Sequence, residues 1–158
     1  LLKQGKKRIA LFGAGRNFYS STLREKGAKR ALAEAGLSPC YISEEGFTYR
    51  AGIRSVCNLM DEKTDLPDAI FAFADSCAIG AINELSKRGY SVPNDISVMG
   101  FDNTAISEMF IPTLTTVSQP QHTIGYQAMD MLIHQIKGQN YTKRYTVNHE
   151  IIYRDSLK

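Results

Sequence analysis

Four polar side chains fall where an apolar run gives way to the next segment, and their types suit recognition of a small polar molecule. Ser20 and Arg24 follow the run Ile9-Ala10-Leu11-Phe12, Asp75 follows Ala69 to Ala74, and Asp102 closes Ile96 to Phe101. A guanidinium fork and a carboxylate facing one another can each bind two groups, which fits a polyhydroxylated or anionic ligand. Phe47, in a loop expected at the same edge, offers a flat face for a sugar or base; it equally suits a hydrophobic staple before the following helix. Asp75 has a second use as the N-cap of the helix that begins there. Arg24 falls on the first turn of its expected helix, where the macrodipole disfavours a cation, so helix electrostatics do not account for it.

Chemistry of other kinds is not indicated. His122, His134 and His149 are scattered, and no nucleophile, base and orienting group can be assembled from the Ser, Cys and His residues. No metal-ligand spacing is present and no cofactor is expected. The segment Phe12 to Asn17, FGAGRN, follows a strand and precedes a helix, but Phe18 stands where a dinucleotide loop has its third glycine and no acidic residue ends the next strand before Ser43. A binding role rather than catalysis is expected.

The elements that would position these residues can be read from periodicity and punctuation. Continuous apolar runs at 9–12, 39–42, 69–74 and 96–101 predict strands buried on both faces, with further strands at 114–117 and 145–153. Between them lie a helix capped by Ser20 or Ser21 and stopped by Gly36, a helix capped by Thr48, a helix from Asp75 or Ser76 to Gly89, and a helix from Pro120 to Gly138. Strands linked by helices of this length predict an α/β fold, a parallel sheet flanked by helices on both faces. In such sheets ligands bind outside the carboxyl ends of the strands, which puts Ser20, Arg24, Asp75 and Asp102 on one edge.

The bulk composition sets the frame. With 158 residues, 43% apolar and 22% charged, the chain is one domain of ordinary globular type. No apolar run approaches the ~20 residues of a membrane helix, so no membrane partner is expected. The net charge of +3 is mild, and the clusters Lys6-Lys7-Arg8 and Lys143-Arg144 read as solvated strand edges rather than a nucleic-acid footprint. Three cysteines, Cys40, Cys57 and Cys77, are odd in number and in apolar contexts, which fits a reduced, cytoplasmic setting.

Several separated motifs in order carry a family likeness. The stretch IFAFADSCAIGAINELSKRGYSVPNDISVMGFDN, from Ile70 to Asn103, with IPTLTTVSQP from Ile111 and a terminal RDS at Arg154, resembles the C-terminal half of the lactose/galactose repressor (LacI/GalR) family. The resemblance implies a periplasmic-binding-protein-like effector domain of a bacterial transcription regulator, with residues 1–158 as its C-terminal lobe. It implies a small-molecule effector, a homodimer, and operator DNA held by a helix-turn-helix that these residues do not include. By motif position Arg24, Ser20, Phe47, Asp75 and Asp102 match effector-site residues, while Ile79, Phe110, Ile111 and Pro112 match the dimer-forming surface; a core role for Ile79 stands beside that one. Ala74 replaces the usual Asn before Asp75, and Gly46 replaces the usual acidic residue before Phe47, so a sugar effector does not carry over automatically. In that family the segment 120–142 packs with the other lobe. No heptad tail follows Lys158, so a tetramer is not expected. The rival reading is a secreted sugar-binding component of a transporter, which shares the fold.

Overall fold

A computed structural model describes residues 1–15, 17–62, 65–140 and 144–158. Arg16 of the FGAGRN segment, Lys143 of the second basic cluster and residues 141–142 of the crossover lie outside the described residues. The strands are β1 (Ile9–Phe12), β2 (Tyr41–Ser43), β3 (Ala69–Ala72), β4 (Ser97–Asp102), β5 (Thr115–Ser118) and β6 (Glu150–Ile152). The helices are α1 (Tyr19–Glu34), α2 (Tyr49–Asp61), α3 (Asp75–Lys87), the single turn α4 (Ile106–Met109) and α5 (Gln121–Ile136). The strands form one sheet in the order β2-β1-β3-β4-β5-β6.

The first five strands pair in parallel, as their apolar runs predict, whereas β6 pairs antiparallel with β5. The expectation of a parallel last strand over 145–153 is corrected on both counts: β6 is three residues long and runs the other way. An edge strand needs hydrogen-bond partners on one side only, and its residues carry no signal of direction.

Alternation explains why β1 is buried throughout. Ala10 and Phe12 face the larger core with Ile70, Ala72, Val98, Val56 and Leu85, while Ile9 and Leu11 face a smaller one with Ala69, Phe73 and Leu32. The larger core lies under α2 and α3, the smaller under α1. α2 and α3 touch backbone to backbone: a Cβ on Gly52 would lie 2.0 Å from the Cys77 carbonyl oxygen, and one on Gly80 2.0 Å from that of Tyr49. On the α1 side the sheet is only partly covered. An apolar groove of about 440 Å³, lined by Leu2, Leu11, Ala28, Phe71, Met99 and Tyr153 among others, contains none of the expected site residues.

α5 is the exception to this packing. No residue along it is buried, and Ile124, Met129, Leu132 and Ile136 are exposed. Its apolar stripe is present as predicted, yet it does not rest on this sheet.

Candidate functional site

The sheet order reverses direction at β1, whose neighbours are β2 and β3, so a crevice opens at the carboxyl ends of β1 and β3. Arg24 lies at that edge, against the Phe73 carbonyl and Asp102. It lies on the second turn of α1, because the helix starts at Tyr19 with Phe18 in the cap position and no side-chain cap. Ser20 and Ser21 are therefore inside the helix rather than capping it. Ser21, buried, accepts a hydrogen bond from the Ala14 amide at 2.9 Å, and the Gly13 amide donates to the Ser43 carbonyl. These loop amides are engaged internally, unlike those of a phosphate cradle.

The Arg24 guanidinium makes three interactions. Nη1 donates to the Phe73 carbonyl just past β3, Nη2 lies 3.4 Å from Asp102 Oδ1, and its carbon sits 3.8 Å from the centre of the Phe101 ring. Stacking on Phe101 and the carboxylate at its tip fix both the plane and the direction of the fork. The Phe47 ring centre lies 5.9 Å from the same carbon and meets Phe18 edge-on at 5.5 Å between centroids. Phe47 is half-buried against both cores, so it packs onto them while lying near the guanidinium. The Arg24 and Asp102 side chains remain 19% and 30% exposed, enough for a ligand to reach them.

Asp102 is held in an uncommon conformation. Its φ is 109° and that of Asn103 is 51°, left-handed values that cost non-glycine residues of order 1–3 kcal/mol and persist where neighbours over-determine them. Gln119 Nε2 donates to Asp102 Oδ1 at 2.9 Å and Gln121 Nε2 to its carbonyl at 3.3 Å. Burial raises the Asp102 carboxyl above its ordinary range, Arg24 and Gln119 pull it down, and Asp75 adds to the rise. Burial likewise lowers Arg24, against the opposing pull of Asp102. Each charge is thus imperfectly compensated, the condition in which an incoming polar ligand has something to supply.

Asp75 belongs to the support and not to the surface. It is the first residue of α3, with Ala74 in the cap position, and only 1% of it is exposed. Its Oδ2 accepts from the Thr104 amide at 2.7 Å and hydroxyl at 3.0 Å, and its Oδ1 from the Thr116 hydroxyl at 2.6 Å. All three bonds tie the loop after β4 to β5 and α3. The expected N-cap use of Asp75 is corrected, since Ala74 holds the cap position without a side-chain cap bond, and the carboxylate is turned into the fold, where Gly100, whose Cβ would come within 2.4 Å of Oδ1, leaves room for it.

Ser20 is exposed on α1 one turn before Arg24, on the solvent side of the same edge. Of the expected dimer surface, Ile111 is 87% exposed and neighbouring Met109 78%, with Phe110 partly buried against the larger core. Ile79 is 2% exposed and packs in that core, so its core role is the one this lobe displays. Sequence reasoning missed Phe101, Gln119 and Phe18. Gln119 stands directly after a strand, as Asp102 does, and that position was its signal.

Among the described residues no group of three His, Cys, Asp or Glu is placed to hold a metal, and no helix is long and apolar enough to cross a membrane. The edge itself brings together a cation, a carboxylate and aromatic faces, with Arg24 beside Asp102, Phe101 and Phe47.

Residues 1–157 match the family model of the periplasmic binding protein-like domain. Catabolite control protein A of Priestia megaterium is 39% identical over 175 residues, covering 100% of this chain and 48% of the relative. The HTH-type transcriptional repressor CytR of Escherichia coli K12 is 35% identical over 142 residues, covering 89% of this chain and 41% of the relative. The chain thus spans about half the length of these curated relatives. Among solved structures, the lac repressor dimer bound to operator and the anti-inducer ONPF superposes with a TM-score of 0.94 at 27% identity, over 99% of this chain and 58% of that one. The transcriptional regulator CelR–cellobiose complex gives 0.92 at 29%, over 99% and 48%. These relatives are transcription regulators rather than enzymes or transporter components, and the chain belongs to the periplasmic-binding-protein-like domain family in the form carried by LacI/GalR-type transcription regulators.

Proposed function

We propose that this chain is one lobe of the effector clamp of a cytoplasmic transcription regulator, and that a small polyhydroxylated or anionic metabolite binds between Ser20, Arg24, Phe47, Phe101 and Asp102. The observation that carries the reading is the Arg24–Asp102 pair at the open switch point, stacked on Phe101 and still partly exposed. The ligand undergoes no chemistry. Its leverage is its differential affinity for two lobe arrangements, which the intact protein converts into a change in operator binding by a helix-turn-helix outside these residues.

α5, whose stripe finds no partner on this sheet, packs in the intact protein with the other lobe, so that the crossover beginning at Pro120 joins the two. Met109, Ile111 and Pro112 contribute to a homodimer surface, supported by the exposure of Met109 and Ile111 and by the dimeric lac repressor among the structural relatives.

A thermal-shift panel of mono- and disaccharides, nucleosides and sugar phosphates on the intact regulator identifies the effector. Asp102→Ala and Arg24→Met then each weaken it by about 10- to 100-fold, the worth of a hydrogen bond to a charged group, with operator affinity retained. Normal responses from both variants would remove the site from this edge.

A further inference from the structure

The C-terminal segment supplies one side chain that reaches the ligand edge from behind. Arg154 lies just past β6, with its backbone fixed to β5: its amide donates to Thr115 Oγ1 at 2.8 Å, and that hydroxyl donates back to its carbonyl at 3.0 Å. The side chain is 12% exposed and its guanidinium meets four acceptors. Nη1 donates to the Leu114 carbonyl at 2.9 Å and to Ser107 Oγ at 3.2 Å. Nη2 donates to Asn103 Oδ1 at 3.0 Å and to Glu108 Oε1 at 2.6 Å.

Asn103 is the residue whose left-handed φ follows that of Asp102. Its amide donates to Thr116 Oγ1 and its Nδ2 to Ser118 Oγ, both at 3.3 Å, and Ser107 donates weakly to the Oδ1 that Arg154 already holds. Among these partners of Asn103 the guanidinium alone is charged, and charge-assisted bonds are about twice as strong as neutral ones. Asp75 holds the same turn one residue further on, through Thr104. The turn that aims Asp102 is therefore held from two sides, by a carboxylate of α3 and by a guanidinium from the end of the chain.

We infer that Arg154 is a positioning residue for the ligand carboxylate: by holding Asn103 Oδ1 together with Ser107 and Leu114, it keeps the Asp102–Asn103 turn left-handed and Asp102 aimed at Arg24. The role rests on the proposed reading of Asp102 as a ligand contact. It is specific to the fork, since a single ammonium cannot span acceptors just before β5, on α4 and in the loop after β4 together. A merely structural Arg154, pinning the chain end to α4, would leave Asp102 indifferent to its loss.

The test needs no ligand, so its failure is distinct from failure of the effector assignment. In Arg154→Ala, amide hydrogen exchange measured by NMR accelerates about tenfold at Asn103 and Thr104 relative to the amides of β1 and β3, and the carboxyl titration of Asp102 moves. Millimolar guanidinium restores both in that variant. If Arg154→Ala does not fold, Arg154→Met, which keeps the apolar stem over β5, carries the same measurements of exchange and titration. Exchange at Asn103 and Thr104 no faster than at β1 and β3, or an unmoved Asp102 titration in the folded variant, overturns the inference. So does a failure of guanidinium to restore the alanine variant.

Discussion

Replacing Asp75 by alanine removes a buried carboxylate and strands the groups that donate to it. Thr116 is fully buried and cannot turn its hydroxyl to water, and the Thr104 amide loses its acceptor; the half-exposed Thr104 hydroxyl can find water. A fully buried donor and a part-buried one left unpaired cost about 1–3 kcal/mol each, while relief of the carboxylate's own desolvation returns part of that. The net expectation is a loss of about 3 kcal/mol, a large part of the ~5–15 kcal/mol typical of a domain. With a urea slope of about 2 kcal/mol/M the midpoint falls by about 1.5 M. Asp75→Asn keeps the shape and an oxygen for the Thr104 amide, but its NH₂ then meets the Thr116 hydroxyl, so a loss of about 1 kcal/mol is expected. Urea denaturation at constant slope reads both. If Asp75→Ala unfolds within about 0.5 kcal/mol of the parent, the three bonds do not hold the loop. If Asp75→Asn abolishes effector binding while stability is unchanged, Asp75 is a ligand contact after all.

Two further outcomes follow from the packing and electrostatics of the same half of the fold. Gly52→Ala forces α2 away from α3, because its Cβ would sit 2.0 Å from the Cys77 carbonyl, and should cost about 3 kcal/mol, seen as a melting temperature lower by about 9 °C. Asp102 binds its proton more tightly in the folded than in the unfolded chain, so its contribution to stability falls as pH climbs from the ordinary 3.8 through the raised value; Asp102→Asn removes that slope in a pH series of denaturation midpoints. A parent and variant with parallel pH profiles across that window would show that Asp102 is not desolvated.

The parallel core was legible because a strand buried on both faces has no polar alternation to hide it: strands 9–12, 69–72 and 97–102 fall on the runs at 9–12, 69–74 and 96–101, with ends that differ by up to two residues. The direction of β6 was not legible, since pairing direction depends on where α5 releases the chain and not on the side chains of an edge strand. The edge that carries Arg24 and Asp102 was legible from strand ends alone. Which way a carboxylate at that edge turns was not: Asp75 and Asp102 occupy equivalent places, and the difference lies in Gly100 opening space behind the one and Phe101 stacking Arg24 beside the other. Ile79 was ambiguous for a similar reason. α3 is covered by the sheet on one side and by α2 on another, so little of its surface remains to meet a second molecule.

Asp102 stands between the candidate site and the start of α5. Its carboxylate accepts from Gln119 and its carbonyl from Gln121, and these residues flank Pro120 at the point where the chain leaves β5 for α5. A ligand hydroxyl that donates to Asp102 competes with the Gln119 amide for the same oxygens or adds to it, and either change alters the hold on the crossover. The same donation favours the charged carboxylate and so lowers a pKa that burial has raised, which makes binding release protons and weaken as pH falls toward the carboxyl range. Calorimetry in two buffers of different ionisation enthalpy measures that release, and a ligand that binds without it does not use Asp102 as an acceptor. No residue of α5 is buried, so under the proposed two-lobe reading a small shift at Gln119 would be passed to a helix that this sheet does not hold in its core.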